Sequence, residues 1–255
     1  MKSQAVFLGT GTSQGVPVIG CNCLVCNSSN SKDARLRSSL LVLTHKLRIL
    51  IDIGPDFRAQ MLKTDNSYIN AIILTHQHRD HTAGLDDIRP IFYLYKKPIE
   101  IYSERNVSDA LKSDFRYLFD GTDYPGKPQF IINEIKNATF YIKKLPITPI
   151  RVMHYKLPVF GYRIADLAYV TDANYISESE KRKLLNLDIL IINSLQKEKH
   201  ISHYSLEESL DLIKELRPKK AYLTHISHCM GLHDKINKEL PKNVFLAYDN
   251  LKIAF

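Results

Sequence analysis

The chain of 255 residues has no tryptophan, only four cysteines and only ten glycines. It has no run of eighteen or more apolar residues, so no membrane-spanning helix is expected. Its first residues, MKSQAVFLGTGTSQG, pass into a strand-like run without the apolar core and small-residue cleavage site of a secretory signal. A soluble protein of the cytoplasm, with no membrane partner, is the expectation. Low-complexity tracts, repeats of solenoid length and Gly/Ser linkers are also lacking, which leaves neither an array nor two domains on a flexible tether. With 44% hydrophobic residues the chain can fill one large core, and a single domain over residues 1–255 is expected.

The 35 Lys and Arg outnumber the 27 Asp and Glu, for a net charge of +8. That balance suits an anionic, phosphate-bearing substrate. The lysines, however, are scattered in pairs (Lys96-Lys97, Lys143-Lys144, Lys219-Lys220) and form no long tract, so nucleic-acid binding is not demanded. Three of the four cysteines fall within six residues, in Gly20-Cys21-Asn22-Cys23-Leu24-Val25-Cys26. In a reducing compartment such a group points to a metal rather than to disulfides, and its spacing is too cramped to pair all three internally. Ordinary reduced thiols are the plainer alternative.

Short β-branched runs at 5–10, 39–44, 48–53, 71–76, 98–102, 138–142, 168–172, 188–193 and 221–225 predict strands. The spacing predicts a helix over 205–216, with Ser205 as N-cap, Glu208 completing a capping box, and Leu206, Leu210 and Ile213 on one face. Further helices are expected at 56–63, 106–118 and 177–185. Strands outnumber helices and the two are interspersed, which predicts an α/β layered fold built on sheets.

Three of the strands end alike, in Ile73-Leu74-Thr75-His76, Tyr169-Val170-Thr171-Asp172 and Tyr222-Leu223-Thr224-His225, and Ile150-Arg151-Val152-Met153-His154 resembles them without the threonine. Strands that end at one edge of a sheet bring their terminal side chains to a common rim, so His76, His154, Asp172 and His225 are expected to meet. The first ending continues into His76-Gln77-His78-Arg79-Asp80-His81, an H-x-H-x-D-H pattern. Imidazoles and carboxylates hold Zn, Mn or Fe, and four of them within six residues can surround a pair of ions. Two divalent cations bring a shared water to hydroxide near neutral pH and neutralise a phosphoryl oxygen during in-line attack. Hydrolysis of a phosphodiester follows from that chemistry, with Asp80 placed to orient the nucleophile.

These residues resemble the metallo-β-lactamase superfamily, whose mark is H-x-H-x-D-H with a later His, Asp and His. The likeness is greatest to its PhnP-like branch, the cyclic phosphate phosphodiesterases of phosphonate breakdown. GTGTSQGVPVIGCNCLVC, ARLRSS at 34–39, IDIGPDFR at 51–58, THQHRDHTAGLDDIRP at 75–90 and LTHISH at 223–228 are similar to that branch in order and spacing. The resemblance implies a four-layer αβ/βα sandwich with a dinuclear site of Mn or Zn between two sheets. His76, His78 and His154 would bind one ion, Asp80, His81 and His225 the other, and Asp172 would bridge both. It implies a general acid just ahead of the capped helix, where the offset to the cap favours His203 over His200. It also implies that His228 completes a closed, structural zinc site with Cys21, Cys23 and Cys26. Cys229, the neighbour of His228, leaves a four-cysteine site open.

Other residues carry two readings each. Gly9, Gly11 and Gly15 look like a phosphate loop but lack the following Lys-Ser/Thr, which favours a tight turn near the site. Asp52 is either a support for the ligand histidines or a strand-end turn former. Arg35 and Arg37 either contact a substrate phosphate or form surface salt bridges. Asp86 and Asp87 are expected to cap a helix, His45 and His233 are read as non-functional, and the segment from Ser103 to Phe130 is expected to cover the pocket. The expected partner is a small phosphodiester, turned over by a homodimer. A transfer-RNA 3′-processing endonuclease is the alternative inside the superfamily, but it would need a basic arm that the sequence lacks. A thioester or lactam hydrolase and a non-catalytic zinc-stabilised binding module complete the alternatives. The module needs four ligands, whereas the pattern supplies seven more.

Overall fold

Two β-sheets organise the chain in the computed structural model, which describes residues 3–44, 46–122, 124 and 126–255. His45 and two positions of the Gly121–Gly126 turn lie outside the described residues. The strands are β1 Gln4–Gly9, β2 Ser39–Leu43, β3 Arg48–Ile51, β4 Ala71–Ile73, β5 Ile99–Ser103, β6 Phe130–Glu134, β7 Phe140–Ile142, β8 Leu145–His154, β9 Leu157–Ile164, β10 Leu167–Val170, β11 Tyr175–Ile176, β12 Ile189–Asn193, β13 Lys220–Thr224, β14 Val244–Leu246 and β15 Lys252–Ala254. One sheet runs β15-β1-β2-β3-β4-β5-β6, and the other runs β11-β8-β9-β10-β12-β13-β14 with β7 beside β8. In each, one half is antiparallel and the other parallel, the parallel part beginning at β3 and at β10. Parallel neighbours need crossovers, which the helices supply.

The layering follows from the alternation of side chains along each strand. Ile49 and Ile51 of β3 face the second sheet, and Ile189 and Ile191 of β12 face the first, around Phe7, Phe160, Tyr162 and Tyr169. Leu50 and Ile53 face the other way, under Phe57, Ile88, Val107 and Leu111 of the helices on that side. Leu190 and Ile192 likewise face Leu212, Ile213, Leu216 and Ile236. Three apolar interfaces separate four layers, helix, sheet, sheet and helix, which is the expected αβ/βα sandwich. Burying each such side chain stabilises the fold by roughly 1.5–3 kcal/mol.

All nine expected strands form, several of them shorter than expected, because Thr75-His76 and Thr171-Asp172 turn out of the sheet after Ile73 and Val170. The sequence reading left out β6, β9, β11, β14 and β15. Pro158 and Gly161 inside β9 look like strand breakers, and β6 is a half-exposed edge strand. The helix Leu206–Leu216 has the full capping box of Ser205 and Glu208, a motif that contributes about 1 kcal/mol. Its buried face is centred on Ser209, Leu212, Ile213 and Leu216, with Leu206 and Leu210 only partly buried at the edge. Asp86 and Asp87 do not cap a helix: they lie inside the short 3₁₀ turn Leu85–Ile88, where Asp86 pairs with Arg89. The segment from Ser103 to Phe130 is part of the outer helical layer, seated through Val107, Leu111, Phe115 and Leu118, and not simply a cover.

Candidate metal centre

The rim where the parallel strands end gathers the predicted residues. His76 follows β4, His154 closes β8, Asp172 follows β10 and His225 follows β13. Asp52, Asp172 and His225 all take left-handed backbone, with φ of 63°, 53° and 54°. Such conformations cost side-chain-bearing residues on the order of 1–2 kcal/mol, and they turn these side chains sharply out of their strands. Close backbone packing holds the loop after β4 in place: a Cβ on Gly54 would fall 2.2 Å from the Asp80 carbonyl oxygen, and one on Gly84 would fall 2.0 Å from that of Gly54.

His76, His78 and His154 offer ring nitrogens that lie within 4.8 Å of one another, and ring nitrogens of His76 and His81 with a carboxylate oxygen of Asp172 lie as close. Asp80 Oδ2 and Asp172 Oδ2 each lie 3.2 Å from His81 Nε2, and His225 Nε2 lies 3.3 Å from Asp172 Oδ1. Asp80 and His225 border the His81–Asp172 pair, but Asp80, His81 and His225, expected to share one ion, do not by themselves form a group of that compactness. His203 joins His154 and Asp172 in a further group of the same compactness, a grouping the sequence reading did not foresee. Its Nε2 is 3.0 Å from Asp172 Oδ1. Next to it, His200 is exposed, its Nδ1 3.2 Å from that of His203.

Four of the imidazoles have one nitrogen anchored, which leaves the other to face the rim. His154 Nδ1 donates to the Ser202 carbonyl at 2.9 Å, and His81 Nδ1 donates to Asp52 Oδ2 at 2.7 Å. His225 Nδ1 is held by Ser38 Oγ at 3.2 Å, and His76 Nδ1 by Thr75 Oγ1 at 2.9 Å. The Thr75 hydroxyl in turn donates to Asp52 at 2.9 Å. Asp52 is fully buried and braces the His81 ring and Thr75, the contacts that the first of its two sequence readings expects. Ser38 and Thr75 were missed as supports. The Thr-His ending contained the signal for Thr75, whereas nothing local marks Ser38.

The electrostatics suit cations. Burial pushes the imidazoles of His76, His154 and His225 down, His225 to about 4, so each is neutral with a free lone pair. Burial would raise Asp172, but His225 and His81 outweigh it and hold the carboxyl well below the ordinary range. His81 Nε2 is buried and makes no well-formed hydrogen bond, despite two carboxylates at 3.2 Å. An orphaned imidazole nitrogen facing two carboxylates fits a divalent cation between them.

The cysteine cluster forms a second, separate group. Cys21, Cys23, Cys26 and His228 come together, with His228 Nδ1 at 3.3, 3.5 and 3.5 Å from the three sulfurs. Cys229 is exposed and takes no part. The Cys26 and Val18 amides donate to Cys23 Sγ and Cys26 Sγ; at Cys26 burial outweighs that bond and pushes the thiol up to about 11. The Cys26 amide and then His228 lower the Cys23 thiol to about 6.

Arg35 is buried, donating to Thr10 Oγ1, the Ala247 carbonyl and His233 Nδ1, so it braces the scaffold and does not reach the rim. Arg37 pairs with Asp56 at 3.0 Å, in line with its salt-bridge reading. The Gly9–Gly15 loop is a tight turn beside the site, tied to it by Thr12 N–H donating to the Ile226 carbonyl. His233, read as non-functional, accepts from Arg35 in the buried scaffold.

A two-sheet α/β sandwich with histidines and aspartates gathered at its strand ends is a metal-competent scaffold of a recognisable class. The chain belongs to the beta-lactamase superfamily: residues 47–226 match that family's domain. A solved diphosphatase of the PhnP family is 35% identical over 100% of this chain and 98% of its own, with a TM-score of 0.93. Zn²⁺-bound PqqB from Methylobacterium extorquens shares the fold at 19% identity, over 99% of this chain and 100% of its own, with a TM-score of 0.79. An octanoyltransferase of Porphyromonas gingivalis is 38% identical over 98% of this chain but only 51% of its own length. The chain spans about half the length of the curated relatives it matches. Among the described residues no helix is long and apolar enough to cross a membrane.

Proposed function

We propose that the chain is a metal-dependent phosphodiesterase that hydrolyses small or cyclic phosphodiesters, such as a phosphoribosyl cyclic phosphate. The observation that carries this reading is the convergence of His76, His78, His154, His81 and Asp172 on adjoining positions, with Asp80 and His225 beside them. In this reading His76, His78 and His154 would hold one Zn or Mn ion, and Asp80, His81 and His225 the other, with Asp172 a ligand shared by both. Two such ions supply a water ionised near neutral pH and positive charge for the phosphoryl oxygens. The chain's own part is geometric: Asp52, Thr75, Ser38 and the Ser202 carbonyl fix the ligand rings, and Asp80 orients the attacking water. His203 holds a proton at Nε2, beside Asp172, for the departing alkoxide. Cys21, Cys23, Cys26 and His228 hold a structural zinc that ties the N-terminal loop to the loop carrying His225.

A thioester substrate is the second reading, favoured by the octanoyltransferase name of one relative. A thiolate leaves without being protonated, so the buried, aspartate-linked His203 has no role in that chemistry. Transfer-RNA processing has less support. Lys143-Lys144 and Lys219-Lys220 flank the starts of β8 and β13, at the ends away from His154 and His225. The test is metal-dependent hydrolysis of bis(p-nitrophenyl) phosphate and of a five-membered cyclic ribose phosphate by wild type and Asp80→Ala. Turnover that Asp80→Ala abolishes is the expected result. Inactivity of the metal-loaded wild type on both overturns the reading.

A further inference from the structure

One wall of the site has no role in the account above. The two-residue turn between β8 and β9, Tyr155-Lys156, directly follows His154. Tyr155 has left-handed backbone, φ 56°, at a position where glycine, asparagine or aspartate is usual, and its side chain is 49% exposed. An exposed aromatic ring on unfavourable backbone contributes little to the core. On the loop that leads to His203 stands Ile201, 67% exposed. A cavity of about 460 Å³ is lined by both, together with Lys156, Leu157, His78 and His154. That volume falls within the range of small-molecule pockets, roughly 300–1,000 Å³.

Asn174 ties the backbones of the two loops together. Asn174, two residues after Asp172, accepts the Tyr155 N–H at Oδ1 (2.8 Å) and donates from Nδ2 to the Ile201 carbonyl (3.0 Å). Its own N–H donates to the Met153 carbonyl at 2.8 Å, and His154 Nδ1 reaches the Ser202 carbonyl at 2.9 Å. Lys156 Nζ lies 5.3 Å from the centre of the Tyr155 ring and adds positive charge at the rim. The cavity is therefore an open depression beside the candidate ligands, lined by the aromatic Tyr155 and the aliphatic Leu157 and Ile201, with the backbone of its two loops tied together through Asn174.

Resting on the phosphodiesterase reading, we infer that this slot is the leaving-group subsite and takes an alcohol bearing a flat aromatic ring, a nucleoside being the biological form of that chemistry. The loop that forms its aliphatic wall also carries His203. In the reaction, water oxygen joins phosphorus, the bond from phosphorus to the nucleoside oxygen breaks, and the His203 proton goes to that oxygen. The ring of the departing nucleoside stacks on Tyr155.

The test compares adenosine 5′-(methyl phosphate) with its abasic analogue, in which methoxy replaces adenine, on the metal-loaded protein. Bis(p-nitrophenyl) phosphate serves as an independent control for the phosphodiesterase reading. The expected products of the first are adenosine and methyl phosphate, with kcat/KM above that of the abasic analogue. Tyr155→Asn, which removes the ring but suits left-handed backbone, lowers the ratio of the two kcat/KM values about tenfold, and Tyr155→Phe preserves it. A fold defect would lower both rates and leave the ratio unchanged. Release of AMP and methanol, or no preference for the adenosine substrate by a wild type that cleaves bis(p-nitrophenyl) phosphate, overturns the subsite alone. Inactivity on bis(p-nitrophenyl) phosphate overturns the phosphodiesterase reading and the subsite with it.

Discussion

Asp52 Oδ2 lies 2.7 Å from His81 Nδ1, and both side chains are fully buried. The carboxylate holds Nδ1 and so points Nε2 toward Asp80 and Asp172. Asp52→Asn can offer an N–H to the ring and favour the other tautomer. The expected outcome is a 10–100-fold loss in metal affinity and in activity, read by calorimetric titration with Zn²⁺ or Mn²⁺ and by initial rates. Unchanged affinity would remove Asp52 from the support of the site.

The cysteine cluster predicts a stability effect. Cys23→Ser should lower the zinc content by one equivalent and lower the thermal midpoint, because binding at a closed site is folding free energy. Plasma mass spectrometry with thermal unfolding reads both. Cys229→Ser, at an exposed thiol outside the cluster, should keep the full zinc complement.

His203 is predicted to matter according to the leaving group. His203→Ala should slow an alkyl diester by about 10²–10⁴ in kcat, and should slow a diester losing p-nitrophenolate much less. Metal content measured on the same variant decides its role. A proton donor leaves it unchanged, whereas a residue that ligates through the group with His154 and Asp172 lowers it.

His233 predicts a pH effect. Its Nδ1 lies 3.1 Å from Arg35 Nη2, so it must accept and the ring is neutral. Burial, with help from Arg35 and Lys32, pushes its pKa from 6.5 down to about 4. A depressed base binds fewer protons in the folded than in the unfolded state between those values. Its contribution is therefore complete above pH 6.5 and is lost as pH falls toward 4. After allowance for solvent screening, wild type should lose roughly 1–2 kcal/mol over that window beyond what His233→Gln loses, read by urea unfolding at pH 7 and pH 4.5.

The strands that face apolar layers on both sides, such as Ile49–Ile51 and Ile189–Ile192, were legible because continuous β-branched runs have few other uses. The rim was legible for a similar reason: a polar, metal-competent residue closing an apolar run has to sit at a sheet edge. What stayed hidden was spatial. Ser38 reaches His225 across 187 positions of sequence, and Arg35 reaches His233 across 198. Both depend on how the sheets face one another, which no local pattern encodes. β9 was hidden by its own Pro158 and Gly161, and the Leu206–Leu216 helix turned its face by about one position because Ser209 is buried against the Asn193 carbonyl.

In the proposed function the strand-end histidines and aspartates hold the ions on which phosphodiester hydrolysis depends. The most direct test of that role is a metal titration of chelator-stripped protein, following both bound metal and hydrolysis of bis(p-nitrophenyl) phosphate. Activity is expected to return with metal bound beyond the structural zinc, to reach its maximum at two further equivalents, and to stay absent in Asp80→Ala. Full occupancy without hydrolysis, or equal activity in Asp80→Ala, would contradict it.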